Sequence, residues 1–505
     1  MARKGLFKHK ARRSKLTSAK TRRPTMRTDA CARSIPRLIQ HRMPVAQNVE
    51  RHRWIIAAAL MGMGCTEPNA PAITPIRPSI SSIDSLDPIP VLAVKFAAPT
   101  TLQLVYWSDS TAKLKITVAV DSTTATIPML RARANTRYWF QLRSISASGL
   151  SSAPVTGMLT TAALPADLAQ LSFTATGTPT DPVTMLEVNA TFKGFVAVDA
   201  QGQVVWYWRT TGPPQAFARR ANGNFVFNDL GTGLFEVTAD GEIVHRLDAG
   251  TVGTPPHHDV IATPQNTILF IAHEDGAGRG TTLIGDAIWE WGPETGALTK
   301  RWTTFDALDP AVDWGSQSKP SDWVHANALS IGPHGNIIFS MYLLGQIISI
   351  APDWHSLEWR LGGIGSTFTV DADAEFDGQH NPQLLSATDI IFFDNGLNRA
   401  DDAQYSRGLE VTLDTVTHTA HRAWQFRPSP DIFAPIVGSI HRFENGNTLM
   451  HFGVSPVAYQ GATGPIATYE VTSGGQVVWT LTTGNARTVY RATPLAAIGG
   501  EKSLQ

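Results

Sequence analysis

The stretch Gly378-Gln379-His380-Asn381-Pro382-Gln383-Leu384, followed by Ser386 to Asp389 and the apolar run Ile390 to Phe393, is one of four copies of a single pattern. The other copies open at Pro256-His257-His258-Asp259, at Asp322-Trp323-Val324-His325-Ala326-Asn327 and at Gly438-Ser439-Ile440-His441-Arg442. In each, a histidine leads a strand-like run, a polar turn and a second apolar strand. Three of the turns read Pro264-Gln265-Asn266-Thr267, Pro333-His334-Gly335-Asn336 and Glu444-Asn445-Gly446-Asn447. A fifth pair spans Phe217 to Phe227 around Ala221-Asn222-Gly223-Asn224.

A second kind of strand pair alternates with the first. Its six copies begin at Gly194, Gly233, Ile288, Gln346, Gly408 and Ala467, at intervals of 39, 55, 58, 62 and 59 residues, and several end in tryptophan. Two alternating pairs make a four-stranded unit, and six units predict an all-β, six-bladed β-propeller over residues 170–495. Intervals of this length leave long loops on one face. Two packed sandwiches are the competing arrangement, but they require no regular repeat.

In a propeller blade the first strand is innermost and starts at the mouth of the central channel. His258, His325, His380 and His441 would then project from four consecutive blades into one funnel. Taken singly, each is a surface or loop histidine; four at equivalent positions point to a site. Asp259 favours His258 within the doublet, with His257 kept beside it.

The rest of the chain divides by composition. Its 505 residues exceed one usual domain, and 43% hydrophobic content supplies a large core. The formal charge of zero hides an asymmetry: residues 1–53 hold 16 Lys or Arg against Asp29 and Glu50, leaving 26 basic and 40 acidic residues beyond. A body with net charge about −14 is a poor match to nucleic acid.

Residues 1–42 read as a basic disordered stretch or a mis-assigned start. From Met43, a short region with Arg51 and Arg53, the apolar run Trp54 to Met63 and then Gly64-Cys65 predict an export signal over 43–65, too short to span a bilayer as a stable anchor. Cys65 behind a small residue resembles a bacterial lipoprotein lipidation site, although Gly62 occupies the place usual for Leu, Val or Ile. The expected location is therefore periplasmic or cell-surface, anchored by lipid, with residues 66–78 as a linker. Cys31 and Cys65 are the only cysteines, so a body from residue 66 has no disulfide.

Residues 79–165 read as a separate small β-sandwich. Leu102 to Trp107 and Leu114 to Val118 alternate like half-buried strands, and Asn135-Thr136-Arg137-Tyr138 resembles the tyrosine corner of a fibronectin type III module. No chemistry is assigned to it.

His257-His258-Asp259, Trp323-Val324-His325-Ala326-Asn327, Trp359-Arg360-Leu361-Gly362-Gly363, Gln379-His380, Phe393-Asp394-Asn395-Gly396, Tyr405-Ser406-Arg407 and Asn445-Gly446-Asn447-Thr448-Leu449, in this order, resemble the bacterial arylsulfotransferase family. The resemblance covers about 300 residues. It implies an exported six-bladed propeller that moves a sulfuryl group from a phenolic sulfate ester to a phenol, with no nucleotide donor and no cofactor. Carried over, His380 matches the histidine that becomes sulfated, His258 and His325 its supporting histidines, and Asn327 the asparagine beyond the second. Where the family commonly has an arginine after the His-x-Asn motif, this chain reads Ser340-Met341-Tyr342-Leu343. Arg407 and Arg491 are candidate substitutes for that clamp. His257, His441, Tyr342 and Trp323 complete the expected substrate-facing set, and Trp314 shares the loop before His325.

The chemistry suits these residue types. Sulfuryl transfer, like phosphoryl transfer, asks for an in-line nucleophile and for donors on the peripheral oxygens. A neutral imidazole can attack sulfur and leave again. Another histidine can protonate the departing phenolate and later deprotonate the acceptor. Two other classes fit parts of the pattern: a metal-dependent propeller lyase or hydrolase using Asp259, His273, Glu274 and Asp394, and a surface-anchored lipoprotein that only binds. Oligomeric state is not legible.

Overall fold

The computed structural model of the chain describes residues 79–86, 89–96, 98, 100–399 and 404–504. The basic stretch, the export signal with Cys65 and the linker lie outside these residues. Within them the protein is all-β, and no helix is long and apolar enough to cross a membrane.

Six sheets follow one another from residue 183 to 495, each built on four antiparallel strands, with Thr369–Val370 added in parallel at the outer edge of blade 5. The outer pairs expected from the repeat are all present, from Lys193–Asp199 with Val204–Arg209 in blade 1 to Ile466–Val471 with Val477–Gly484 in blade 6. The innermost strands are Pro214–Arg219, Pro256–Ala262, Ala326–Ile331, His380–Leu384 and Ser439–Arg442 in blades 2 to 6. Together with Thr488–Leu495 they touch in a closed cycle around an axis, which makes the fold a six-bladed β-propeller.

Ring closure is the part that periodicity did not reveal. Blade 1 takes its innermost strand, Thr488–Leu495, from the chain's C-terminal end and pairs it with Val183–Asn189. Blade 6 takes a fifth, outermost strand, Ser172–Gly177, from the N-terminal side and pairs it with Val477–Gly484. Both seams are antiparallel ladders, so the ring has no free edge where the chain begins and ends.

Central strands are apolar on both faces because each blade is sandwiched between two others. Phe225–Asp229, Ile337–Met341, Gln346–Ile350 and Thr448–Phe452 are buried throughout, whereas the outer strands Ile243–Asp248 and Thr419–Phe426 are largely exposed. The inner hairpins turn on left-handed residues, Gly223 (φ 88°), Asn266 (64°), Gly335 (81°) and Gly446 (86°), which glycine and asparagine adopt at least cost. Side chains of these turns are pinned to the third strand of their own blade. Asn224 Nδ2 donates to Glu236 (2.7 Å), Asn336 Nδ2 to Ser349 (2.7 Å) and Asn447 Nδ2 to Glu470 (2.7 Å).

The N-terminal region is a two-sheet sandwich. Ser79–Leu86, Ile89–Lys95 and Thr124–Pro128 form one sheet, and Lys113–Val120, Thr100–Trp107, Arg137–Ile145 and Val155–Thr160 the other. Within it, Arg133 N donates to the Tyr138 hydroxyl at 2.9 Å. The sandwich is less separate than expected, for two reasons. Lys502–Leu504 returns from the propeller to extend its second sheet. Its core also runs without a break from Leu104, Tyr106 and Phe140 into Phe195, Trp206 and Phe227 of blades 1 and 2. Arg133 seals the junction by donating to Asp199 (2.6 Å) and Gln201 (2.8 Å).

Candidate functional site

The site forms where the innermost strands begin. Ladder register slips between His257 and Val260, between Ala326 and Ala328, between His380 and Gln383, and between Val489 and Ala492. Such bulges re-aim side chains that a regular strand would alternate between faces. His258 (φ 57°), His325 (φ 52°) and Asn381 (φ 52°) occupy left-handed backbone, uncommon for residues other than glycine and frequent at functional sites. Gln215 of blade 2 supports the first bulge by accepting from His258 N.

These bends bring three of the four expected histidines together. The rings of His258 and His325 are 4.7 Å apart, and Tyr342 stands 5.4 Å from both His325 and His380. Tyr490 completes the circle at 6.1 Å from His258 and 6.4 Å from His380. Tyr490 was not singled out from sequence, because the C-terminal strand that carries it shows no link to blade 1 until the ring is closed.

His441 does not join them. Blade 6 has no bulge in Ser439–Arg442, so His441 stays in a regular ladder opposite Leu449 and packs on Phe443 at 4.9 Å. It lines a separate channel cavity of about 390 Å³ with Asp259, Gln383 and Arg491.

Each imidazole of the trio is held at Nδ1. His380 Nδ1 lies 2.8 Å from Asn395 Oδ1, and Asn395 Nδ2 is committed to the carbonyls of Ala434 (2.7 Å) and Val437 (2.8 Å). That amide orientation leaves oxygen facing the ring, so Nδ1 carries the proton and Nε2 the lone pair. Asp322 Oδ2, 2.8 Å from His325 Nδ1, fixes the same tautomer there. His258 Nδ1 meets His257 Nδ1 at 2.8 Å. Among the described residues, none bonds the Nε2 atom of His258, His325 or His380, and none of these atoms is sealed from solvent. Asn395 was visible in sequence only as part of Asp394-Asn395-Gly396, without a role.

Burial sets the charge state. It pushes His380 down to about 3, against the smaller opposing effect of Asn395. It also holds His258 well below 6.5, helped by the neighbouring His325 and His257. Since His380 has a depressed folded pKa, the unfolded chain takes up this proton first, and stability is lost as pH falls from about 6.5 towards 3. The advantage of wild type over His380→Gln should shrink by about 2 kcal/mol between pH 7 and pH 5, measured by urea unfolding at each pH. A constant difference would contradict a buried neutral imidazole.

The remaining expected residues fall into other roles. Asn327 is fully buried, and its Nδ2 donates to the carbonyl of Gln379 (2.8 Å), so it fixes the backbone ahead of His380. Arg491 is no free clamp: it pairs bidentately with Asp259 at 2.8 and 2.9 Å and also donates to Asn327 O. Beside that pair, burial pushes Glu187 up to about 8, so it adds no charge at neutral pH. Arg407 is spent on Asp394 (2.9 Å), Gln425 and the carbonyls of Asp373 and Glu375. Tyr342 stands between His325 and His380, with its hydroxyl donating to Pro435 O at 2.8 Å. Trp323 is wholly buried against Phe305 and donates to Asp313 O, so it is not a substrate wall. Trp314, from the same loop, lines a cleft of about 530 Å³ with Leu343, Phe368, Phe376 and Asp377.

The groups proposed for a metal do not converge. Asp259 is held by Arg491, Asp394 by Arg407 and Arg399, and Glu274 by Lys300. His273 meets Asp286 instead, together with His257; ligand atoms of these three residues lie within 4.8 Å of one another. The two rings lie against each other at 4.1 Å and reach the same oxygen, Oδ1, while Oδ2 accepts from Ala326 N and His257 Nδ1 meets His258.

The chain matches the family described as arylsulfotransferase (ASST) over residues 171–491, which spans all six blades. No curated protein matches it. Among solved structures it is similar to a Bacteroides caccae protein of unknown function at 14% identity (TM-score 0.41, 62% of this chain and 99% of that one). A catalytically inactive virginiamycin B lyase from Staphylococcus aureus, solved with quinupristin, is 9% identical (TM-score 0.34, 62% and 99%), and a streptogramin B lyase is 13% identical (TM-score 0.33, 70% and 96%). With the match extending over more than half of its length, the chain belongs to the arylsulfotransferase family.

Proposed function

We propose that the protein moves a sulfuryl group from a phenolic sulfate ester to a phenol through a sulfohistidine at His380. Family membership supports aryl sulfotransfer in general. The observation that carries the finer reading is the His380 imidazole: buried, uncharged, locked at Nδ1 by Asn395, with Nε2 unbonded and Tyr342 and Tyr490 linking its ring to those of His325 and His258. Such a ring is a nucleophile that needs no base to activate it.

In the first half, the Nε2 lone pair attacks sulfur as the sulfur–oxygen bond to the aryl group breaks, and His258 or His325, which takes up a proton at Nε2 as the anionic donor binds, gives that proton to the phenolate. In the second half, the same imidazole takes the proton of the incoming phenol. The phenol oxygen bonds sulfur, and the nitrogen–sulfur pair returns to Nε2. With Arg491 and Arg407 committed elsewhere, the negative charge of the sulfuryl oxygens is met by the imidazolium itself. The cleft beside Trp314 offers aromatic rings a surface to lie on.

Steady-state kinetics with 4-nitrophenyl sulfate and varied phenol test this reading. Nitrophenol release should depend on acceptor, with parallel double-reciprocal lines. Acceptor-independent release with free sulfate would instead describe a hydrolase.

The same proposal places the protein outside the cytoplasm, tethered through lipid on Cys65, with a fibronectin type III-like sandwich as spacer. Cell fractionation tests it: Cys65→Ser should move the protein from the membrane to the soluble fraction, and unchanged partition contradicts the anchor.

A further inference from the structure

Behind His258 lies a chain of groups that never reaches the funnel. His257 is 3% exposed, and its Nδ1 contacts His258 Nδ1 at 2.8 Å. Its Nε2 stands 3.1 Å from Asp286 Oδ1, an approach too oblique for a straight hydrogen bond but close enough for the charge to dominate. The carboxylate is 1% exposed and anchored on its other oxygen by Ala326 N at 2.6 Å. His273, stacked on His257 at 4.1 Å and partly open to solvent, reaches Asp286 Oδ1 at 2.9 Å.

Electrostatics then fixes every proton. A lone pair on His257 Nε2 would face a buried negative oxygen, so Nε2 carries the hydrogen and Nδ1 the lone pair. Two lone pairs cannot meet at 2.8 Å, so His258 Nδ1 must donate to His257. His258 Nε2 is thereby left as the acceptor that faces the reaction. When His258 becomes imidazolium, its Nδ1–H still has an acceptor, itself backed by a negative charge.

We propose that Asp286 and His257 are positioning residues that set the tautomer of His258 and make it the acid–base group of the transfer. The proposal rests on the sulfuryl-transfer reading for its chemistry. In the first half, His258 takes up a proton at Nε2 as the anionic donor binds and gives it to the leaving phenolate as the sulfur–oxygen bond breaks. In the second, Nε2 takes the acceptor's proton as the new sulfur–oxygen bond forms and the sulfur–nitrogen pair returns to His380.

Asp286→Asn tests this. Its amide oxygen can keep the bond from Ala326 N while its NH2 faces the imidazoles, which turns His257 into a donor at Nδ1 and His258 into the wrong tautomer. Single-turnover phenol release from phenyl sulfate, a poor leaving group, should fall by about 100-fold or more. Release from 4-nitrophenyl sulfate, whose phenolate leaves unprotonated, should fall less than about 5-fold. Equal losses on both donors, or no loss, would overturn the assignment. His257→Gln keeps an acceptor towards His258 and a donor towards Asp286, so it should retain the phenyl sulfate rate that His257→Leu loses; identical behaviour of these two would also count against it.

Nitrogen-15 chemical shifts of the histidine rings read the tautomer without any turnover. His258 should be protonated at Nδ1 in wild type and at Nε2 in Asp286→Asn, and an unchanged His258 signal refutes the relay. If wild type itself releases no phenol, the transfer reading fails, while the nitrogen shifts still decide the tautomer.

Discussion

Replacing His380 with alanine is expected to abolish sulfuryl transfer, lowering kcat by on the order of 10⁴-fold or more, as loss of a covalent nucleophile generally does. The substitution removes the attacking Nε2 and leaves Asn395 Oδ1 without its donor, while His258 and His325 keep their own partners. Neither is placed to substitute. His258 Nδ1 is engaged with His257 and His325 Nδ1 with Asp322, and His258 is needed for proton traffic. Thermal unfolding should still be cooperative, because Asn395 remains tied to Ala434 and Val437. A variant that retains more than a few per cent of the wild-type rate would move the nucleophile elsewhere.

Arg491→Met should act on stability far more than on chemistry. It leaves Asp259 buried without its cation, and breaking a buried ion pair from one side costs about 3–5 kcal/mol. The lower end applies, since Asp259 keeps backbone donors from Val260 (2.9 Å) and Leu329 (2.7 Å). Because the arginine sits on the seam strand of blade 1 and reaches into blade 3, the loss also loosens ring closure. A double variant with Asp259→Asn should recover part of the difference. If Arg491 were instead the missing sulfuryl clamp, Arg491→Met would leave urea unfolding almost unchanged and collapse turnover.

Much of the propeller was legible because its two periodicities are carried by buried strands that must be apolar. The outer pairs from Gly194 to Ala467 and the inner pairs behind His258, His325 and His380 all fall where the repeat placed them. Thr488–Leu495 was not legible as the first blade's inner strand, since a partner 299 residues away leaves no local period. The site was legible to the same degree. His258, His325 and His380 meet because each begins a bulged innermost strand, and His441 misses them because its own strand runs regular. Bulges carry no composition signal, so equivalence in sequence overstated equivalence in space.

Partners were the less readable layer. Arg407, Arg491 and Trp323 looked available as chemistry and are consumed by Asp394, Asp259 and the Asp313 carbonyl, contacts that sequence spacing does not encode. Conversely, Asn395 and Asp286 act through a histidine 15 residues away in one case and through a ring in the same blade in the other. Both became visible only once the ladders set their strands side by side.

Intact mass of the protein after brief mixing with 4-nitrophenyl sulfate and no acceptor tests the central claim most directly. We expect a gain of one sulfuryl group, located at His380 by tandem fragmentation, lost on adding phenol and absent in His380→Ala. No adduct, or an adduct on any other residue, would contradict the account.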